Sequence, residues 1–350
     1  MVSLILFILI FGIVVISHEF GHFLIAKANG IHVVEFSVGM GPDIVSFTKG
    51  DTKYSIKWLP IGGACTFEGE DGLNEKEEQS EGSFLKANVW SRIATVFAGP
   101  IFNFILGFII ALVMVTMIAM RDPVASEVLP DSAAAEAGLQ NGDRIVSIDG
   151  GKVHLYEEIL LFTATNQGET VDLTYERDGK KYDTQITPIY NEEEGRYMLG
   201  IVNSDFVELK GFDFVKYAFY EVKYSMTSTY KSLGMLIRGR VSRHDVAGPV
   251  GIAVNVVGKT YEATKEYGWK NVLVNMLNIM MLLSVNLGVL NLIPFPALDG
   301  GRLVFLFLEV VRGKPIPAEK EGMVHFVGFV FFMVLMVFIF FNDIANVFIH

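Results

Sequence analysis

The sequence predicts a polytopic α-helical membrane protein with four transmembrane helices, a membrane-associated β-hairpin region and one inserted β-rich α+β domain outside the membrane. Three observations predict it. Of the residues, 51% are hydrophobic, with 28 Phe, and the mean hydropathy is positive. Four apolar segments, within 2–26, 93–120, 272–292 and 323–341, are long enough to cross a hydrocarbon core of about 30 Å. Between the second and third lies a long stretch of soluble composition, and 350 residues leave room for several spans and one small domain.

The net charge of −11 comes largely from the hydrophilic parts and argues against nucleic acid as a partner. The single cysteine, Cys65, excludes an intrachain disulfide and a cysteine zinc cluster, and reads as a buried small residue rather than a nucleophile.

Residues 2–17 carry no charge and run into Ile16-Ser17-His18-Glu19-Phe20-Gly21-His22. On a helix His18 and His22 are four residues apart and share one face, the spacing at which two imidazoles grip one zinc ion. Glu19 beside them is available as general base to an activated water. Ionisable residues against a membrane segment cost about 2.5–3.5 kcal/mol each on insertion scales, so chance is a poor explanation for three together. A cleaved signal peptide is rejected, since a basic leader is missing and cleavage would discard the motif. At 1.5 Å per residue His18 lies about 24 Å along the helix, towards its far end.

From 31 to 68 the pattern changes to short β-type runs, 33–38, 44–48, 54–59 and 64–67, separated by Gly39-Met40-Gly41-Pro42, Lys49-Gly50-Asp51 and Pro60-Ile61-Gly62-Gly63. An open strand edge here would receive an extended substrate by strand addition, and a plain connecting hairpin fits the pattern equally well. The acidic stretch 68–81 reads as a solvated loop. The second span contains Gly99-Pro100-Ile101-Phe102-Asn103, tolerable where neighbouring helices repair the backbone; Asn103 either lines a site or bonds another helix, the second being favoured.

Residues 122 to about 190 give a strand at 125–129, the stretch 130–139 ending Ala137-Gly138-Leu139, then Gly142-Asp143 and Ile148-Asp149-Gly150, with later strands at 170–177 and 181–187. These pieces, in this order, resemble a PDZ domain of the circularly ordered bacterial type. The resemblance implies a domain that binds an extended peptide or C-terminus along a strand edge; a spacer that filters substrates by size is the alternative.

Residues 211–239 mix aromatics with charges as an amphipathic helix lying in the interface does, a pattern that packing against the soluble domain would also give. Gly248-Pro249-Val250-Gly251-Ile252 breaks the chain, and a short helical stretch from Ala253 leads on. The third span carries Asn275, Asn278, Asn286 and Asn291 and stops at Pro294-Phe295-Pro296, an interruption tolerated only inside protein or against a water-filled cavity. Asp299 follows, beside Gly300 and Gly301, which allow close backbone approach; it is either a metal ligand or a helix cap.

The flanks at Met1 and 342–350 lack Lys and Arg, whereas the 27–92 loop holds seven, and Arg302, Arg312, Lys314 and Lys320 mark the third connection. By the positive-inside rule both termini and the 121–271 insertion lie outside. Spans one and three then run the same way, bringing His18, His22 and Asp299 towards the cytoplasmic face. Two His and one Asp leave a fourth tetrahedral position for water, as in catalytic zinc sites.

His18-Glu19-Phe20-Gly21-His22, the run Asn291-Leu292-Ile293-Pro294-Phe295-Pro296-Ala297-Leu298-Asp299-Gly300, and a PDZ-like insertion between spans two and three resemble the bacterial site-2 proteases over nearly the whole chain. The resemblance implies an intramembrane zinc metalloendopeptidase of the cell membrane that cuts single-span membrane proteins, such as anti-sigma factors or remnant signal peptides. It implies that His18, His22 and Asp299 ligate Zn2+, that Glu19 is the base, and that Asn291, with Pro294 and Pro296 of the same motif, meets the substrate. The expected layout is 1–27 first span, 28–90 cytoplasmic-side hairpin region and acidic loop, 91–121 second span, 122–195 PDZ-like domain, 196–271 extracytoplasmic interfacial helices, 272–298 third span, 299–322 cytoplasmic loop or short helix, 323–342 fourth span and 343–350 extracytoplasmic tail. Two departures stand out: one PDZ-like domain where some relatives have two, and Arg302 where some have His. The rival from another class is a metal-binding membrane scaffold or transporter, which has no need of Glu19.

Overall fold

The computed structural model describes residues 2–70, 80–240 and 247–348. Most of the acidic 68–81 stretch and the last two residues of the tail lie outside them. The chain divides into two compact units, one of residues 1–110 with 241–350 and one of residues 111–240.

In the first unit α1 is Val2–Ala28, whose 27 residues reach about 40 Å, more than the hydrocarbon thickness. Two extended strands follow, β1 (Val33–Lys49) and β2 (Thr52–Phe67), paired antiparallel. Four short strands were expected; the break at 49–51 is the turn between two strands, whereas those at 39–42 and 60–63 are bends within them. Gly39 bends β1 at φ +89°, and a Cβ there would lie 2.5 Å from the Leu59 carbonyl oxygen, so only glycine fits. Phe36 pairs with both Tyr54 and Cys65, which makes the 33–38 leg a central strand.

The second long helix, α2, is Val89–Val115. Two apolar clusters knit the unit together. One joins Phe7 and Ile10 of α1 to Val257, Met276 and Ile279. The other joins Ala26, Val33, Phe67, Val96, Leu303 and Leu306 near the C-terminal end of α1. Among the described residues four helices are long and apolar enough to cross a membrane.

The second unit is β-rich. Its short strands β3 (Met120–Arg121), β4 (Val124–Ala125) and β5 (Glu127–Val128) replace the single strand expected at 125–129, because the halves of that run pair with different partners, residues 143–144 and 201–202. Ser132 caps the short helix α3 (Ala133–Glu136). Strands β6 (Asp143–Ile148) and β7 (Gly151–Lys152), helix α4 (Tyr156–Thr165), and strands β8 (Val171–Arg177) and β9 (Lys180–Ile186) complete a sheet ordered β4-β6-β8-β9, with β7 on β6. Ile145, Ile159, Leu173 and Ile186 fill its core. Buried Asp143 is held by Arg177 at 2.7 and 2.6 Å.

The boundary expected at 195 falls inside this domain. Strands β10 (Ile189–Asn191) and β11 (Arg196–Met198) pair with each other, while β12 (Ile201–Val202) and β13 (Phe206–Val207) pair back with β5 and β3. Helix α5 (Asp213–Ile237) packs on α4 through Lys223, whose ammonium donates to Glu158 at 2.9 Å. Packing against the soluble domain therefore accounts for its amphipathic pattern.

Returning to the first unit, helix α6 starts with Pro249 and runs through Pro249–Gly251, a π-helical stretch Ile252–Gly258 and Lys259–Thr264, so it begins before Ala253. Helices α7 (Trp269–Asn291), α8 (Asp299–Arg312) and α9 (Ala318–Phe348) follow. The last is longer than 323–341 because polar residues at both ends continue it. Among them, buried Asp343 accepts the backbone N–H groups of Gly248 and Gly251 at 2.9 and 2.8 Å.

One buried acid of the second unit generates a pH dependence. Burial, with Glu157 and Glu158 close by, pushes the Glu221 carboxyl up from 4.5 to about 7. The folded chain then holds a proton that the unfolded chain releases, so this group's contribution to stability falls as pH rises from 4.5 to 7. Glu221→Gln is expected to flatten that slope and to stabilise the inserted unit at pH 8 by up to about 3 kcal/mol; melts of the full chain at pH 5.5 and 8 measure it.

Candidate metal centre

The site is built where the C-terminal half of α1 meets α2 and the start of α8. His18 and His22 lie one turn apart and edge to face, both buried, with their Nε2 atoms 3.2 Å from each other. Asp299, in the first turn of α8, brings Oδ2 to 3.1 Å from His18 Nε2 and 3.4 Å from His22 Nε2. The residue preceding α8 in the N-cap position is Leu298, so the Asp299 carboxylate faces the imidazoles rather than capping the helix.

Outer contacts fix which nitrogen faces inward. A carbonyl only accepts, so His22 Nδ1 must carry the proton it donates to Thr95 O at 2.8 Å, leaving Nε2 as a lone pair. Asn103 Nδ2 lies 3.2 Å from His18 Nδ1, while Asn103 Oδ1 is buried without a partner. A half-turn of that amide gives the oxygen a partner in His18 Nδ1–H and frees Nε2 in the same way. Asn103 also bonds α7, accepting Ser284 Oγ–H at 2.8 Å on its backbone carbonyl.

These donors suit a zinc ion. Two imidazole nitrogens and a carboxylate oxygen are zinc's common ligands, and Asp299 Oδ2 is a buried atom without a hydrogen-bond partner. Among the described residues this is the one such cluster. Space has been kept for it on α2: a Cβ at Gly99 would lie 2.3 Å from His22 Nε2 and 2.8 Å from His18 Cε1.

Glu19 points towards β2, with Gly63 and Cys65 of that strand beside it. A Cβ at Gly63 would come within 3.0 Å of Glu19 Cγ, so glycine lets the strand approach α1. The loop carrying Asp299 is equally close-packed. Cβ atoms at Gly300 and Gly301 would lie 2.2 Å from Ile293 O and 2.3 Å from Phe295 O. Ala297 sits at φ +75° and donates its N–H to His325 Nδ1 of α9 at 3.0 Å.

Asn291 ends α7 and Pro294 is exposed on the following turn; no hydrogen bond among the described residues joins either to the three ligand candidates. Pro296 lies against Gly328 of α9. Arg302 pairs with Glu70 and stacks 5.3 Å over the Phe84 ring, tying α8 to the segment after β2. Cys65 is half-buried beside the cluster around Phe67. Sequence reasoning missed Gly99, Thr95 and Gly63. The first and last act by lacking a side chain and Thr95 through its backbone carbonyl, so the sequence offered only the small residues themselves as a signal.

With this geometry in view, residues 6–335 match Peptidase family M50, and the chain belongs to that family. It is a site-2-type zinc metalloprotease of a multi-pass membrane class, with Zn2+ as its metal. Among its relatives are the regulator of sigma-W protease RasP of Bacillus subtilis, 33% identical over 99% of each chain, and the zinc metalloprotease RasP of Geobacillus kaustophilus, 31% identical over 99% of this chain and 98% of the relative. The PDZ domain of an SdrC-like protein from Listeria monocytogenes matches 25% of this chain and 88% of its own at 25% identity, with a TM-score of 0.22.

The Gly99 contact gives a prediction. Gly99→Ala is expected to push the two imidazoles apart and lower zinc content well below one ion per chain, as read by elemental analysis of purified protein, with the fold retained by circular dichroism.

Proposed function

We propose that the chain hydrolyses a peptide bond within or beside the transmembrane segment of single-span membrane proteins, with His18, His22 and Asp299 as zinc ligands and Glu19 as general base. The observation that carries this reading is the convergence of Asp299 on two imidazoles one turn apart, with a carboxylate next in sequence that is not needed as a ligand.

When bound, zinc supplies Lewis-acid polarisation of the scissile carbonyl and acidifies water. The protein's own residues do the rest. Glu19, seated against β2 beside Gly63, takes the proton from the attacking water and returns it to the leaving amine. Thr95 and Asn103 hold the imidazoles in the ligating tautomer. The substrate has to be unwound locally, because helical peptide bonds are shielded, and the β1–β2 sheet offers it a strand edge at the membrane. Asn291, Pro294 and Pro296 contact it next to the scissile bond.

The positive-inside pattern supports an orientation with both termini and the inserted domain outside and the metal centre towards the cytoplasm. The inserted domain, read as PDZ-like, then recognises a C-terminus or excludes substrates that still carry an outer domain. The name regulator of sigma-W protease, borne by the Bacillus subtilis relative, supports anti-sigma factors as the substrate class, with remnant signal peptides a second source.

Glu19→Gln is expected to keep full zinc content and to lower cleavage of a co-expressed single-span substrate at least 100-fold. Persistent cleavage sinks the protease reading in favour of a metal-binding scaffold or transporter. Asp299→Ala is expected to lose both zinc and cleavage; unchanged zinc in metal analysis would reassign Asp299 to a structural role.

A further inference from the structure

Within the second unit, α5 and the α4 side of the domain line an open cavity of about 640 Å³ that the proteolytic reading does not use. Val153, Leu161, Phe162 and Val171 give its floor an apolar patch, with the carboxylates Asp149, Glu158 and Glu169 also on the lining. Its other wall is one face of α5, where Lys223, Lys231 and Arg238 recur at near-helical spacing.

These cations are unequally matched. Glu158 takes the Lys223 ammonium at 2.9 Å, and Glu169 lies 3.6 Å from the Arg240 guanidinium at the rim. Among the described residues Lys231 and Arg238 have no carboxylate within 4 Å. The Lys231 ammonium sits 5.8 Å over the Phe162 ring, and burial pushes it below the ordinary lysine range, with Asp149 and Glu158 opposing. A half-buried cation over an apolar floor calls for an anion that carries hydrocarbon with it.

The end of α5 indicates where that anion comes from. Leu236 and Ile237 are 52% and 78% exposed immediately before Arg238. Exposed aliphatic side chains next to basic ones that pair with no carboxylate among the described residues are the pattern of a segment that meets an anionic membrane surface. An acidic soluble peptide would leave Leu236 and Ile237 without a purpose.

We propose that this cavity binds the phosphate headgroup of an anionic phospholipid, with Lys231 and Arg238 on the phosphate and the glycerol and first acyl carbons against Phe162 and Leu161. The occupied cavity then ties α5 and the domain face around α4 to the lipid surface.

The test uses the purified full chain in zwitterionic micelles, titrated with short-chain phosphatidylglycerol, short-chain phosphatidylcholine and inorganic phosphate, and read by native mass spectrometry. Phosphatidylglycerol is expected to occupy one site per chain at least tenfold more tightly than phosphatidylcholine. Lys231→Gln and Arg238→Gln should each weaken it at least fivefold, and Lys181→Gln on β9, outside the cavity, should leave it unchanged. Arg238 is exposed, so its variant reports binding even if Lys231→Gln impairs folding. Equal affinity for the two lipids, or no loss in Arg238→Gln, overturns the proposal. Displacement of the lipid by equimolar inorganic phosphate or by hexaglutamate overturns the lipid assignment.

Discussion

Two imidazole nitrogens and a carboxylate oxygen held within 3.4 Å of one another, inside a bundle of apolar helices, form the constraint on which the rest depends. Removing such groups from water is expensive unless positive charge sits among them and every outer valence is met. The second condition is met by the backbone and by one amide: Thr95 O binds His22, and Asn103 addresses His18 while receiving Ser284 on its carbonyl. Three helices, α1, α2 and α7, are thereby locked in register by the polar shell around one point. The apolar clusters above and below then have a fixed frame to fill.

Small residues let the backbones come close enough for that shell to exist. Gly21 would place a Cβ 2.5 Å from Ala98 O, and Gly99 leaves the room the imidazoles occupy. On the far side Gly300 and Gly301 seat α8 in the turn after α7, which aims Asp299 inward. The Arg302–Glu70 pair, shielded by Phe84, anchors the same helix to the strand region. Close approach substitutes here for the hydrophobic driving force that lipid withholds between spanning helices.

Much of this was legible in the sequence, for identifiable reasons. Helical spacing gives the shared face of His18 and His22 without any tertiary information, and run length with hydropathy gives the four long helices. The approach of Asp299 could be inferred only through topology, because 277 residues separate it from His22. Gly99, Gly63 and the Thr95 carbonyl were invisible because glycine and backbone carry no chemical label. The strand breaks misled for a related reason. Glycine at positive φ signals a change of direction, and whether the chain leaves the sheet or bends within it depends on the partner strand, here Leu59 against Gly39. The domain boundary at 195 failed because the strands that close the domain, Ile201–Val202 and Phe206–Val207, are two residues long and carry no periodicity.

On the proposed reading, the contact of Glu19 with β2 joins catalysis to substrate capture. The base lies against the same sheet that would receive the unwound substrate, and Gly63 beside it keeps that sheet against α1. A substrate strand added to this sheet would be positioned in the frame that already holds the base, so orientation is fixed by main-chain hydrogen bonds rather than by side-chain identity. That arrangement favours any segment able to unwind over any particular sequence. On that reading selectivity has to come from something other than the sheet's side chains, because main-chain pairing does not read them.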